Sequence, residues 1–113
     1  MPYIQIRTNV SISKEKEIRI KELFGEAITI LNKSKDWLMV EFVSDCKMYF
    51  AGDDSKDIAY VDIKIYGKCE AEVYNSMTEK VTNILNVELD ILPENIYVSY
   101  GEFSYWGFNG KNL

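Results

Sequence analysis

The sequence predicts an α+β fold in which a β-α-β unit occurs twice within 113 residues, giving the element order β-α-β-β-α-β. Two stretches carry apolar residues at helical spacing, and β-rich stretches flank each of them. A polar loop at residues 52–57 separates two halves of similar length. Because two helices cover only one face of such a sheet, we expect a four-stranded mixed sheet with both helices on one face. The length is that of a single domain, residues 1–113.

In the first half, residues 1–10 predict a strand with Pro2, Ile4 and Ile6 on one face and Tyr3, Gln5 and Arg7 on the other. The first position of a strand tolerates a proline because that position needs no N–H for the ladder. Residues 14–32 predict a helix, since Ser13 suits the N-cap and acidic residues occupy the first turn. The apolar stripe of this helix consists of Ile20, Leu23, Phe24, Ala27, Ile28 and Leu31. Residues 37–43 predict a buried strand, and a short edge segment follows at residues 48–51.

In the second half, residues 58–66 alternate between apolar and polar side chains and predict a strand with one buried face. Residues 69–86 predict the second helix, with an apolar stripe formed by Val73, Tyr74, Met77, Val81, Ile84 and Leu85. A turn at residues 92–95 leads into the last strand, residues 96–103. The sheet face turned away from the helices would carry Tyr60, Lys64, Tyr66 and Tyr97, so we expect this aromatic face to be covered by association.

Composition excludes several classes of function. A net charge of −5 and a pI near 4.7 argue against nucleic acid as a partner, because phosphate binding needs a basic face. The chain has no histidine, which excludes histidine triads, histidine metal sites and the usual near-neutral base. Cys46 and Cys69 lie outside any CxxC pair and are expected to be simple thiols. We predict neither a metal nor a cofactor.

The distribution of apolar residues also bears on the cellular location of the protein. There is no apolar run of the ~18 residues that a membrane span needs, so membrane insertion is not expected. Gln5 and Arg7 interrupt the first apolar segment, so the start does not resemble a signal peptide. A cytoplasmic location is therefore expected, and secretion without a signal sequence is left open.

Pro2 is the first candidate for chemistry. If Met1 is removed, Pro2 becomes a secondary amine at the chain terminus, fixed on a strand. An α-amino group titrates near ~7.7–8.0, so a modest lowering of its pKa makes it a base at neutral pH. The alternative is that this proline simply opens the first strand.

Five short segments together span nearly the whole chain. They are the opening strand from Met1-Pro2 to Thr8-Asn9-Val10, Asn32-Lys33, Met48-Tyr49-Phe50-Ala51-Gly52, Tyr66-Gly67-Lys68, and Leu92-Pro93-Glu94-Asn95-Ile96-Tyr97. Each segment is a weak signal by itself, but the five occur in the order and at spacings compatible with one known family. On these segments the chain resembles the macrophage migration inhibitory factor (MIF) family of the tautomerase superfamily.

This resemblance implies a homotrimer with active sites between subunits and no cofactor. It implies keto–enol tautomerisation of α-keto acids such as phenylpyruvate, or of dopachrome-like compounds. Pro2 would be the base, and Lys33 would bind the acidic end of the substrate. The remaining implied roles are a backbone amide at Tyr66, a hydroxyl from the adjacent subunit at Tyr97, and aromatic walls at Trp37, Trp106 and Phe108.

The chain also departs from the animal members that it resembles. Ser99 stands where they carry an asparagine, Lys64 where they carry a histidine, and Trp37 where they carry a tyrosine. Ser99 and Lys64 are retained as candidates for substrate binding. Three of the candidate residues also have a simpler interpretation. Lys33 would be a lysine at a helix C-terminus that interacts favourably with the helix dipole, Lys64 a surface partner of Asp62, and Tyr97 an aromatic residue that only packs.

The residues agree with the implied chemistry. A tautomerase needs a base whose pKa lies near the working pH, and burial together with a nearby cation such as Lys33 would lower the pKa of Pro2. The developing enolate needs hydrogen-bond donors, which lysine and tyrosine side chains supply.

The main alternative is a cytokine-like protein that acts on a receptor partner, with a vestigial pocket. A purely structural trimer is a further alternative. Dehalogenation or decarboxylation is disfavoured, because such relatives add arginines to the pocket and this chain has only Arg7 and Arg19.

Overall fold

The structure is a computed structural model that describes residues 1–113, and it confirms the α+β fold. Four strands form one sheet in the order β2-β1-β3-β4. The strands are β1 (Pro2–Thr8), β2 (Met39–Val43), β3 (Ala59–Tyr66) and β4 (Ile96–Phe103), and the helices are α1 (Lys14–Ala27) and α2 (Ala71–Leu89). The outer pairs β1/β2 and β3/β4 are parallel and the central pair β1/β3 is antiparallel, so the sheet is mixed as predicted.

The strand register fixes where the chain terminus lies. Pro2 pairs with Ile65 across the central pair, and Ile65 pairs in turn with Glu102. The first residues of the chain therefore lie at the end of the sheet where β3 and β4 finish. At the opposite end, Thr8 pairs with Ala59 and Ala59 with Ile96.

One hydrophobic core lies between the helices and one face of the sheet. Alternate residues of the central strands are fully buried, including Ile4, Ile6 and Ile63, and Phe24 of α1 and Met77 of α2 pack onto them. Burying a side chain of this size stabilises the fold by roughly 1.5–3 kcal/mol. The period-two pattern in β1 and β3 therefore identified the buried face correctly.

The first helix is shorter than predicted. It ends at Ala27, a 3₁₀ turn continues over Ile28–Leu31, and Asn32 adopts a left-handed conformation with φ 60°. The run Ile28, Thr29, Ile30 contains only β-branched residues, which disfavour the α-helix, and the tighter turn satisfies the last carbonyl groups. Asparagine tolerates the left-handed conformation, which redirects the chain immediately before Lys33.

The prediction of a buried strand over residues 37–43 is wrong in two respects. Trp37 lies in a 3₁₀ turn, Lys35–Trp37, in which the Ser34 hydroxyl accepts a hydrogen bond from the Asp36 N–H at 3.1 Å. The strand begins at Met39 and lies at the edge of the sheet, and none of its residues is fully buried; Val40 and Phe42 are only partly buried against the core. Hydrophobicity alone did not distinguish an edge strand from a central strand.

Residues 48–51 do not form the predicted edge segment. They contain a single bridge between Phe50 and Asp53, closed by a tight turn in which Ala51 and Gly52 have φ 52° and 79°. The aromatic tail instead forms a small hairpin of β5 (Gly107–Phe108) and β6 (Lys111–Asn112).

Neither helix combines the length and the apolar character that crossing a membrane requires.

Candidate active site

The chain terminus is held at the end of the central strands. Pro2 is buried at the start of β1, and Met1 is half-buried beside it. The Tyr66 N–H donates a hydrogen bond to the Met1 carbonyl oxygen at 3.1 Å. The peptide between Met1 and Pro2 is therefore fixed against the last residue of β3.

Lys33 lies at the same place. Its ammonium donates a hydrogen bond to the Tyr66 carbonyl oxygen at 2.8 Å, and the side chain is half-buried. Burial lowers the pKa of the Met1 α-amino group, and the positive charge of Lys33 lowers it further. An ammonium has three donors and Lys33 has no carboxylate partner within the chain, so donors are left for an anionic ligand.

A glycine turn shapes the backbone between these groups. Gly67 has φ 89°, which favours glycine, and its N–H donates to the Phe103 carbonyl oxygen at 2.9 Å. A Cβ atom at Gly67 would lie 3.9 Å from the Lys33 Nζ atom. The turn therefore keeps the Tyr66 peptide and the Lys33 ammonium in close proximity.

Two of the three predicted aromatic wall residues are in contact. The rings of Trp37 and Phe108 meet edge to face, with centroids 5.2 Å apart and an interplanar angle of 80°. The 3₁₀ turn after Lys33 supplies Trp37, and the C-terminal hairpin supplies Phe108. Trp106 instead lies against Phe103, with centroids 6.1 Å apart.

Tyr97 lies at the other end of the sheet. It pairs with Tyr60 near the start of β4, five residues before Glu102, which is level with Pro2. At the strand rise of ~3.3 Å per residue, this separates Tyr97 from the level of Pro2 by ~17 Å. Tyr97 is 63% exposed and its ring packs on Phe50, with centroids 5.2 Å apart. Pro2 and Tyr97 therefore cannot contact one substrate within a single chain.

Two of the three residues that depart from the MIF pattern, Ser99 and Lys64, lie on the face of the sheet away from the helices. The Ser99 hydroxyl is hydrogen-bonded to the Tyr60 hydroxyl at 2.8 Å. The Lys64 Nζ atom lies 3.5 Å from the Asp62 carboxylate and 5.7 Å from the centroid of the Tyr3 ring. Within one chain, Lys64 thus has the surface contact with Asp62 that its simpler role requires.

The predicted site residues do not all line one groove of a single chain. A groove beside Lys33 runs along the 3₁₀ turns and is lined only by polar residues and a glycine, without Pro2 or the Trp37–Phe108 pair. No three or more carboxylate or thiol side chains are grouped so that they could hold a metal ion. The residues that meet in one chain are therefore Pro2, Lys33 and the Tyr66 peptide, with Trp37 and Phe108 joined as a separate aromatic pair.

Sequence reasoning missed a polar cluster behind the Tyr66 loop. The Tyr74 hydroxyl donates to the Glu102 carboxylate, and the Cys69 N–H points at both groups, at 3.2 Å and 3.3 Å. Burial and the hydrogen bond to Glu102 raise the pKa of Tyr74 to about 12. The helical spacing predicts Tyr74 only as a member of the apolar stripe of the second helix. The available signal was its hydroxyl, since a tyrosine packed in such a stripe needs a polar partner.

Comparison with known proteins now assigns the family. The family model described as "Macrophage migration inhibitory factor (MIF)" matches residues 1–113, which is the whole chain. The chain belongs to the MIF family. A Xenopus laevis protein named macrophage migration inhibitory factor is 26% identical to this MIF-family chain over 115 residues, covering 100% of the chain and 99% of the relative.

Solved structures agree with the MIF assignment. Leishmania major MIF2 superposes with a TM-score of 0.93 at 27% identity, covering 100% of this chain and 97% of that one. A MIF homologue from Prochlorococcus marinus gives a TM-score of 0.88 at 22% identity, with 97% of both chains covered. The fold also occurs in N1, a member of the cis-3-chloroacrylic acid dehalogenase family, at 18% identity and a TM-score of 0.86. At 22% and 18% identity, the likenesses to the Prochlorococcus marinus structure and to N1 concern the fold alone.

Proposed function

We propose that this MIF-family protein is a keto–enol tautomerase for α-keto acids such as phenylpyruvate, with Pro2 as its base once Met1 has been removed. One observation carries the proposal. The Met1–Pro2 peptide, the Lys33 ammonium and the Tyr66 peptide converge at one end of the sheet, with contacts of 3.1 Å and 2.8 Å.

Removal of Met1 would create the base. While Met1 is attached, the Pro2 nitrogen is an amide and has no useful basicity. After removal, the same nitrogen is a secondary amine in a buried position beside Lys33. Burial and a neighbouring cation both disfavour the protonated amine, as they already do for the α-amino group of Met1. Both effects bring the pKa towards the neutral range in which a general base works best.

The same removal would open a carboxylate site. The Tyr66 N–H, which now donates to the Met1 carbonyl oxygen, would be free to donate to the substrate. The Lys33 ammonium keeps donors beyond the one that holds the Tyr66 carbonyl oxygen. A carboxylate placed between these two donors would receive charge-assisted hydrogen bonds, which are the stronger kind. The Met1 carbonyl oxygen thus stands where a substrate oxygen would bind.

The reaction is a proton transfer without a change of oxidation state. The Pro2 nitrogen takes a proton from the carbon next to the keto group, and the C–H electron pair becomes the C=C bond of the enolate. The C=O π electron pair moves onto the former carbonyl oxygen, which then receives the proton from the Pro2 ammonium, and this step completes the enol and restores the neutral amine. A tyrosine hydroxyl aimed at that oxygen would stabilise the developing charge, and we assign this role to Tyr97 of a neighbouring subunit.

Association follows from the position of Tyr97. Because Pro2 and Tyr97 lie ~17 Å apart along the sheet, a site that uses both must join two chains. A closed homotrimer, as the family resemblance implies, would supply one such junction for every subunit. The aromatic pair of Trp37 and Phe108 would then form one wall for the ring of the substrate.

An assay on chains of defined N-terminus tests the proposal. Enol–keto conversion of phenylpyruvate is measured on protein that begins at Pro2 and on protein that retains Met1, with both termini read by mass spectrometry. Only the chain that begins at Pro2 should be active. Equal activity in the two preparations would refute the role of Pro2, and a receptor-binding role would then become the leading hypothesis.

A mixing experiment tests the shared site. Chains with a blocked terminus keep Tyr97 but lack the base, while Tyr97→Phe chains keep Pro2 but lack the hydroxyl. Each preparation should be weakly active alone, and unfolding and refolding the mixture should restore activity in mixed trimers. No recovery in mixed oligomers of verified composition would contradict a site built from two subunits.

A further inference from the structure

Tyr66, where β3 ends and the next loop begins, provides one donor of the proposed carboxylate site and holds the other. Its N–H is the donor that Met1 removal would free, and its carbonyl oxygen holds the Lys33 ammonium at 2.8 Å. A displacement of the Tyr66 backbone would therefore move both donors together. The position of the loop, Tyr66 to Cys69, decides how well the two donors fit a carboxylate.

Two backbone carbonyl oxygens outside the loop accept hydrogen bonds from it. The Gly67 N–H donates to the Phe103 carbonyl oxygen at 2.9 Å, in the left-handed turn described above. The Cys69 thiol lies 3.5 Å from the Leu31 carbonyl oxygen, two residues before Lys33. The loop is thus tied to β4 on one side and to the end of the first helical segment on the other.

The other end of the loop depends on two side chains. The Cys69 N–H points at the Tyr74 hydroxyl at 3.2 Å and at the Glu102 carboxylate at 3.3 Å, and the Tyr74 hydroxyl donates to the same carboxylate. The Tyr74 ring cannot swing freely, because it stacks on Tyr100 with centroids 4.4 Å apart. The Tyr100 hydroxyl in turn donates to the Tyr74 carbonyl oxygen at 3.0 Å.

We propose that Glu102 and Tyr74 are positioning residues for substrate binding, which act by fixing the Tyr66–Cys69 loop and through it the Tyr66 N–H and Lys33. This role rests on the proposed function of the site. Glu102 is exposed, yet it accepts two hydrogen bonds that join β4, the loop and the start of α2. Neither residue touches the substrate in this arrangement. Their loss should therefore weaken binding of the carboxylate more than it slows the proton transfer.

Conservative variants separate the hydroxyl and the carboxylate from the rest of each side chain. Tyr74→Phe keeps the ring that stacks on Tyr100 and removes only the hydroxyl. Glu102→Ala removes the carboxylate oxygen that accepts both hydrogen bonds, whereas Glu102→Gln keeps one amide oxygen that can accept from the Cys69 N–H. Matched controls are Tyr105→Phe and Glu94→Gln, which make the same chemical changes at exposed side chains without hydrogen bonds in the chain.

Two measurements are made on processed protein, with the melting temperature recorded for each variant. The first is amide hydrogen exchange at Gly67, which has its own backbone partner and so reports on the loop rather than on the deleted group. Loss of a hydrogen bond of ~1 kcal/mol predicts exchange about fivefold faster. The second is the kinetics of phenylpyruvate conversion, for which we expect KM to rise about fivefold while kcat changes less than about twofold.

The expected result is faster Gly67 exchange and a higher KM in Tyr74→Phe and Glu102→Ala, partial rescue in Glu102→Gln, and no change in the controls. Unchanged exchange at Gly67 in Glu102→Ala would overturn the proposal, and so would a fall in kcat at constant KM. If the processed wild-type protein has no tautomerase activity, the proposed function fails. The exchange measurement then decides the positioning role alone, with faster exchange supporting it and unchanged exchange overturning it.

Discussion

Replacing Lys33 with alanine tests two consequences of one contact. The Lys33 ammonium lies 2.8 Å from the Tyr66 carbonyl oxygen, at the position proposed for the substrate carboxylate. Burial is the larger cause of the lowered pKa of the α-amino group at the chain terminus, and the charge of Lys33 is the second cause. Lys33→Ala therefore removes a binding group and a cation that favours the neutral amine.

The magnitude of the binding effect follows from the kind of contact. A hydrogen bond to a charged group contributes roughly 1.5–3 kcal/mol, so kcat/KM should fall about 10- to 100-fold. The effect on pH dependence has a definite sign. Activity requires the neutral amine, so it rises as the pH passes upward through the pKa of Pro2. Removing the cation raises that pKa, and the rising limb should move to higher pH.

The assay is the pH–rate profile of phenylpyruvate conversion by processed protein, with the amine titrated independently through the ¹⁵N chemical shift of labelled Pro2. Lys35→Ala is the matched control. It removes the same charge two residues away, where the side chain is exposed and forms no ion pair within the chain. We expect this control to resemble the wild type in both measurements.

The two effects can be refuted separately. A higher KM with an unmoved pH limb would leave Lys33 as a binding residue only, and the account of the base would be wrong. A moved limb with an unchanged KM would leave Lys33 as an electrostatic neighbour of Pro2. If neither quantity changes, the site as described is not where the reaction occurs.

Three further predictions concern stability and assembly. Phe24→Ala should lower the free energy of unfolding by about 3–5 kcal/mol, since Phe24 is fully buried in the core, and urea titration measures the loss. Gly67→Ala should destabilise the protein by roughly 1–2 kcal/mol because the left-handed turn strains any side chain, and it should raise KM as well through its neighbour Lys33. Replacing Cys46 and Cys69 together with alanine should leave the proposed homotrimer intact, since both are free thiols, and light scattering in reducing buffer checks this.

The sequence predicted the parts of the fold in which local pattern and tertiary packing agree. The alternation in β1 and β3 survives in the structure because both strands are central and bury one face completely. The sequence-based prediction was wrong where the local pattern of residues carried no information about tertiary packing. Nothing in the apolar run at residues 37–43 showed that β2 is an edge strand or that Trp37 precedes it in a turn.

The candidate site was predictable to the extent that it consists of unusual side chains. Pro2 directly after Met1 and Lys33 at the end of the first helical segment were both identified from the sequence, and in the structure both lie at the Tyr66 backbone. Tyr97 was identified by resemblance, and its role stays a prediction because it lies at the far end of the sheet from Pro2. The Tyr74 hydroxyl was hidden within an apolar stripe.

The backbone role of Tyr66 was predicted only through the resemblance, because nearly every residue carries an N–H and a C=O group. What distinguishes the Tyr66 backbone is its surroundings: the turn at Gly67, the Lys33 ammonium on its carbonyl oxygen and the Met1 carbonyl oxygen on its N–H. Retention of Met1 would therefore block the proposed site twice, by making the Pro2 nitrogen an amide and by occupying the Tyr66 N–H. An external amine added to such a protein would replace the base but would not free that N–H. Chemical rescue should consequently fail, whereas removal of the single residue Met1 should restore both functions at once.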